Sequence, residues 1–245
     1  MNHMPDNTRR GFLAGSLALL PSVGFAADED GAQGRNQDTD LLASAPEPGR
    51  FTKPRYQPNF FTAVEWDFVC AACDRLIPRD DVGPGALELG VPEYIDRQLQ
   101  TPYGDGANWY MDGPFITASA DFGYQSSLTP REQYRKGIAA IDNHCRRIVN
   151  LPFARMAVAD RDTVLKKIEN GDLTDPNFDL KTFFTSFLIK NTNEGYFGDP
   201  KYGGNRDMLA WKMIRYPGVR ADYFEFATRI GPYPYGPVDI QGRKA

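Results

Sequence analysis

The sequence predicts an all-α fold: a single helical domain with long ordered loops rich in aromatic residues, glycine and proline. Three observations predict it. Two capping boxes, Thr62-Ala63-Val64-Glu65 and Thr129-Pro130-Arg131-Glu132, each open a stripe of apolar residues at helical spacing. The 19 prolines and 23 glycines fall between such stripes, where they stop helices and build turns. No run of alternating apolar and polar residues reads convincingly as a strand.

The chain opens with Thr8-Arg9-Arg10-Gly11-Phe12-Leu13, the pattern of a twin-arginine export signal marked by Arg9, Arg10, Phe12 and Leu13. A mild apolar run follows to Pro21, and Gly24 and Ala26 supply small residues three and one before a cut after Ala26. The run is shorter than the ~20 apolar residues a membrane span needs, so residues 1–26 read as a removable address. An ordinary secretory signal that happens to carry two arginines is the second reading. Residues 27–58 are polar and rich in Gly, Pro and Asp without a sustained period, which predicts a flexible linker or extended arm. Residues 59–245 then form the helical domain.

Within that domain, Trp66, Val69, Cys70, Cys73, Leu76 and Ile77 share one helical stripe, ended by Pro78. This turns both cysteines toward the core, where a disulfide three residues apart in a regular helix would be strained. Pro92 opens a short helix through Leu99. The stretch 102–124 holds Tyr103, Trp109, Tyr110, Phe115 and Phe122 among glycines and prolines and reads as a long ordered loop. Tyr134, Ile138, Ile141, Cys145 and Ile148 form a seam on the next helix. Cys145 is thus expected inside or at a helix–helix or subunit contact, and an intermolecular bond is the second reading. Asp160 can cap a helix carrying Val164, Leu165 and Ile168 that ends at Gly171. Leu180, Phe183, Phe184, Phe187 and Leu188 mark another, ending near Gly195. Asn205 is a candidate cap for a helix from Arg206 to Ile214, residues 223–226 for a short one, and residues 231–237 for an extended aromatic tail.

Composition narrows the function classes. A net charge of -4 excludes the basic footprint of a nucleic-acid binder. Beyond the leader no apolar run is long enough for a membrane span, so membrane association is expected only through a partner. Of the two histidines, His3 departs with the leader; His144 is left and has no recognisable catalytic company. Cys70-Ala71-Ala72-Cys73 is followed by Asp74 instead of the His needed for haem attachment, and three cysteines are too few for a four-thiolate centre. Gly83-Pro84-Gly85 and Gly104-Asp105-Gly106 lack the third glycine of a dinucleotide fingerprint. No cofactor is expected in this chain, and no catalytic, cofactor-binding or metal-binding residue is assigned. A folded-protein export signal on such a chain points to a partner that carries the cofactor.

Several segments carry a resemblance. They run from Phe60-Phe61-Thr62 to Ile77-Pro78, then through Gly83-Pro84-Gly85-Ala86 and Gly90-Val91-Pro92-Glu93-Tyr94-Ile95-Asp96. Trp109-Tyr110-Met111, Gly113-Pro114-Phe115, Glu194-Gly195-Tyr196-Phe197-Gly198-Asp199-Pro200 and Tyr202-Gly203-Gly204-Asn205-Arg206-Asp207 follow, and Trp211-Lys212-Met213-Ile214 with Tyr216-Pro217-Gly218 complete the series. Together they resemble the gluconate 2-dehydrogenase subunit 3 family. The resemblance implies a heterotrimer with a large FAD subunit that oxidises D-gluconate to 2-dehydro-D-gluconate. A multihaem cytochrome c subunit passes the electrons toward ubiquinone. It further implies that the small subunit is non-catalytic, lacks FAD and haem c itself, and brings the flavoprotein through the twin-arginine translocase to the periplasm. Related small subunits serve dehydrogenases of other sugar acids, so the substrate is left open.

Tyr202, Gly203, Gly204, Asn205 and Arg206, with Trp211, form the candidate partner interface: two glycines allow a tight turn, and Arg and Trp are common interface anchors. The competing reading is a helix-opening turn whose arginine pairs with a nearby carboxylate. Two other functions stay open at this point: an independent exported enzyme, and a periplasmic small-molecule binding module built on the loop around Trp109.

Overall fold

The computed structural model describes residues 56–245 except 117, 227 and 232. The export signal and nearly all of the arm lie outside the described residues. Among these residues the architecture is all-α, and pairing of the β type is limited to isolated bridges such as Gly218 with Val238.

Helix α1 (Ala63–Leu76) is the central element. Thr62 and Glu65 close the expected capping box, and the helix ends one residue before Ile77 caps it. More than one stripe is buried: Phe68, Ala71 and Ala72 join Trp66, Val69, Cys70, Cys73 and Leu76. The reason is enclosure. Helices α2 (Val91–Leu99), α3 (Pro130–Val149) and α4 (Val158–Asn170) and the turn Phe153–Arg155 all pack on α1. The small side chains of its middle let those neighbours approach closely.

Helix α3 has the second capping box, with Thr129 and Glu132, and Pro130 in its first turn. Tyr134, Ile138, Ile141 and Cys145 are buried as the seam predicts. Ile148, expected on the same seam, is 62% exposed because the last turn runs past the core before Asn150 turns left-handed at φ 56°. The cap of α4 is also corrected: Ala157 occupies that position, and Asp160 sits in the first turn, where its charge favours the helix N-terminus. Gly171 ends α4 in the left-handed conformation, as expected.

The largest departure is α5. Segments Leu180–Thr182, Phe183–Ile189 and Lys190–Phe197 run on as one helical element, and the middle one is π-helical. Wider π turns change the angular spacing of side chains, and here Phe183, Phe184, Phe187 and Leu188 all reach the core. The close fit of Gly137 on α3 against the Phe183 ring needs that placement. The element ends at Phe197, two residues beyond Gly195.

Nor is the stretch after Asn205 one helix. A short 3-10 turn, Arg206–Met208, leads into α6 (Leu209–Met213), and Asp207 and Met208 have φ of 55° and 53° between them. The 3-10 turn Phe224–Phe226 matches the expected short helix. The tail is more than an extended strand of chain: Val219 N–H donates to Val238 O (2.7 Å), and Ile240 N–H donates to Asp199 Oδ2 (2.8 Å). It folds back onto the turn that precedes the candidate interface. At the other end, Tyr56, which the sequence placed in the arm, already packs on Trp66 with ring centroids 5.7 Å apart.

Candidate functional site

Two places concentrate unusual chemistry. The first is the junction where the C-terminal half of α5 meets α2. Asp199 Oδ1 accepts from Lys201 N–H (2.9 Å) and sets the turn Pro200–Tyr202. Gly203 follows at φ 102°, and a side chain there would strike Arg97 and Glu93. Gly204 lies so close to Gly195 that an added Cβ would collide with the Gly195 carbonyl. Both glycines are therefore required by close approach, which explains why the motif has them side by side.

Asn205 is 0% exposed and holds both sides of this turn. Its Nδ2 donates to Gly198 O (2.9 Å), and its Oδ1 accepts from Ala210 N–H (3.0 Å) at the start of α6. These two bonds hold the left-handed residues that follow, a conformation that costs about 1–3 kcal/mol per residue when nothing supports it. Arg206 donates to Glu93 Oε2 (2.5 Å), whose other oxygen pairs with Arg97 at 2.7 Å. Trp211 is 4% exposed, and its Nε1 donates to Phe197 O (2.6 Å). Of the six residues expected to form an interface, Asn205, Arg206 and Trp211 bond inward, and Gly203 and Gly204 are packing positions. Tyr202 is 44% exposed.

Arg206→Ala tests what the ion pair contributes. Arg206 is partly exposed and Arg97 still serves Glu93, so the discounted cost is about 1 kcal/mol. The shift should appear as a lower denaturant midpoint with an unchanged slope. A loss several times larger would mean that Arg206, not Asn205, holds the strained turn.

Next to this junction is a polar network that sequence reasoning did not anticipate. Buried Asn191 of α5 accepts from Tyr134 OH (2.9 Å) and donates from Nδ2 to Glu194 Oε2 (2.9 Å). Tyr103 hydroxyl lies 3.1 Å from the same Nδ2. The network ties α3, α5 and the start of the aromatic loop together. Burial is the leading cause that pushes the Tyr103 hydroxyl up to about 12, so it serves as a neutral donor and acceptor.

The second place is the aromatic loop itself. Trp109 packs against Tyr103, Tyr124 and Phe187 at centroid distances of 5.9, 5.0 and 6.0 Å. The rings form the floor of an open cleft of about 820 Å³, which continues past Phe115 into a second hollow of about 430 Å³. Gln133 of α3 lines the larger hollow; its Nε2 donates to Tyr124 OH (2.5 Å), and that hydroxyl donates to Leu128 O (2.5 Å). The aromatic richness of residues 102–124 foreshadowed the loop, but Gln133 carried no sequence signal.

Other candidate groups have local roles. His144 lies part-buried on α3, and burial, with Arg147 and Lys167 nearby, lowers its pKa, so the imidazole is neutral at neutral pH. Cys70, Cys73 and Cys145 are fully buried, and burial pushes the thiols of Cys73 and Cys145 up to about 12. Cys73 Sγ meets Thr192 Oγ1 at 3.7 Å, a packing contact between α1 and α5. No group of three or more His, Cys, Asp or Glu is placed to hold a metal ion among the described residues. No helix among them is long and apolar enough to cross a membrane.

Neither a curated protein nor a solved structure matches this chain. A family model does, over residues 63–218, which takes in α1, the aromatic loop, α5 and the junction up to Gly218. By that match the chain belongs to the gluconate 2-dehydrogenase subunit 3 family.

Proposed function

We propose that this chain is the non-catalytic small subunit of a heterotrimeric, periplasmic, membrane-associated gluconate 2-dehydrogenase. Its partners are an FAD-containing large subunit that oxidises D-gluconate to 2-dehydro-D-gluconate and a multihaem cytochrome c subunit that passes electrons to quinone. The chain itself supports export and assembly: the twin-arginine signal at Arg9 and Arg10 takes the folded flavoprotein across the inner membrane with it, and the complex supplies the membrane association.

Family membership over residues 63–218 carries this reading. The use of the motif residues supports it. Asn205, Arg206 and Trp211 of the family segment bond within the chain's own turn and to its neighbours. The fully buried carboxylate of Asp96 is likewise occupied by amides and a tyrosine of this chain.

Co-expression of the three subunits, with purification through a tag on this chain, tests the proposal. The large subunit and its flavin should co-purify with dehydrogenase activity, whereas the chain expressed without partners should show neither flavin absorbance nor activity. Activity in the chain alone would sink the non-catalytic reading and return the independent-enzyme alternative.

A further inference from the structure

We propose that the aromatic cleft around Trp109 is the seat of the flavoprotein subunit, and that it takes an uncharged, apolar segment of that subunit. The inference rests on the small-subunit reading above. It moves the contact away from the junction at 202–211, where Asn205, Arg206 and Trp211 bond inward.

The surface chemistry of the loop carries the argument. Tyr110, Ile116 and Phe122 are 77%, 61% and 73% exposed, and Phe115 joins the two hollows they border. A contiguous exposed group of this kind marks a docking surface, whereas single exposed apolar residues do not. The cores of protein interfaces are rich in aromatic residues and depleted of charge. No charged residue lines the smaller hollow, and Asp179 and Lys190 are the charged residues lining the larger one. Asp179 caps α5 through Thr182 N–H (2.9 Å), and Lys190 stands 4.0 Å from Glu194. Among the residues that line the cleft an anionic sugar acid would therefore find a single cation, Lys190, with the Asp179 carboxylate lining the same hollow. An apolar protein segment needs none.

The underside of the loop is fastened, so the surface is formed before a partner arrives. Arg131 pairs with Asp105 and donates from Nε to Leu99 O (2.6 Å), while Tyr124 is held by Leu128 and Gln133. A preorganised surface loses less entropy on binding. Gln133 adds a polar feature. The Tyr124 hydroxyl proton is committed to Leu128 O, so that hydroxyl accepts from Nε2, and Gln133 Oε1 remains a buried acceptor without a partner among the described residues. The other aromatic surface, at the C-terminal tail, already stacks its own arginine: Arg220 lies 5.2 Å from the Tyr233 ring centroid.

The test uses the full tagged chain co-expressed with both partner subunits. Ile116→Glu with Phe122→Glu places two charges on exposed positions, and Phe224→Ala with Tyr235→Ala alters the tail instead. The cleft variant should recover about tenfold less large subunit, or lower still, with unchanged far-UV circular dichroism and thermal midpoint. The tail variant should recover wild-type amounts. Normal recovery by the cleft variant overturns the proposal, and if D-gluconate then changes the tryptophan fluorescence of the full chain, the cleft is a small-ligand site. Recovery of no large subunit by the wild-type chain would bring down the small-subunit reading as well as the cleft.

Discussion

Replacing Asp96 by Ala is expected to cost about 3–5 kcal/mol, a large share of the ~5–15 kcal/mol that holds a domain folded. Asp96 lies in α2 and is fully buried. One oxygen accepts from Tyr56 OH (3.0 Å), Asn59 N–H (3.0 Å) and Gln100 Nε2 (2.7 Å). The other accepts from Phe60 N–H (3.0 Å) and Phe61 N–H (3.0 Å). One carboxylate thus fixes the whole lead-in to α1, the helix on which α2, α3 and α4 pack. Its loss leaves backbone amides near the core without an acceptor and frees Phe61, whose ring packs on Tyr134 at 5.7 Å. Asp96→Asn should fall between, because its NH₂ would face donors. Tyr56→Phe should cost about 1 kcal/mol, one hydrogen bond. Equilibrium urea unfolding of the three variants orders these effects. An Asp96→Ala loss no greater than that of Tyr56→Phe would show that the amides find water instead and that the lead-in is not anchored there.

Asp96 also shows where the sequence was legible and where it was not. Thr62 with Glu65 and Thr129 with Glu132 are local devices, and their spacing is sufficient to place the starts of α1 and α3. The stripe on α1 was legible for the same reason, since helical periodicity is a property of one segment. Enclosure of α1 on its other faces depends on α2, α3 and α4, which no single window reports. A buried carboxylate is harder still: in a sequence, Asp96 and Glu93 look like the solvated face of a short helix. The π segment of α5 has no composition signature, because it adjusts the phase of Phe183–Leu188 to partners on α3 and α4. At the junction, the sequence left two roles open, a partner interface and a helix-opening turn. Distance supplies the contacts the turn needs, above all the Arg206–Glu93 pair and the inward bond of Trp211. The aromatic loop was legible as ordered; that its outer rings stay exposed while Trp109 anchors it required the fold.

Exchanging Arg9 and Arg10 together for Lys is expected to stop export of this chain and, with it, of the flavoprotein. The substitution separates the two readings of the leader because it keeps both positive charges and the apolar run after them. A general secretory signal needs a basic start and an apolar stretch, so lysine would serve it as well. Recognition of the arginine pair itself has no such tolerance, since guanidinium offers a planar set of donors that an ammonium cannot reproduce. Fractionation of cells that co-express all three subunits, with both proteins followed by immunoblot, reads the outcome. If the small and large subunits both accumulate in the cytoplasm and periplasmic dehydrogenase activity falls to background, one signal serves two chains. Continued export of the variant small subunit would make the leader an ordinary one. A large subunit that reaches the periplasm while the small one stays behind would have its own route, and the carrier role would then be lost even though the cleft around Trp109 could still join the two after transport. Cleft and signal therefore answer different questions: the glutamate variants break the contact while the leader still works, and the lysine variants disable the leader while the contact still forms. The shared-export proposal requires that either lesion by itself keep the flavoprotein inside.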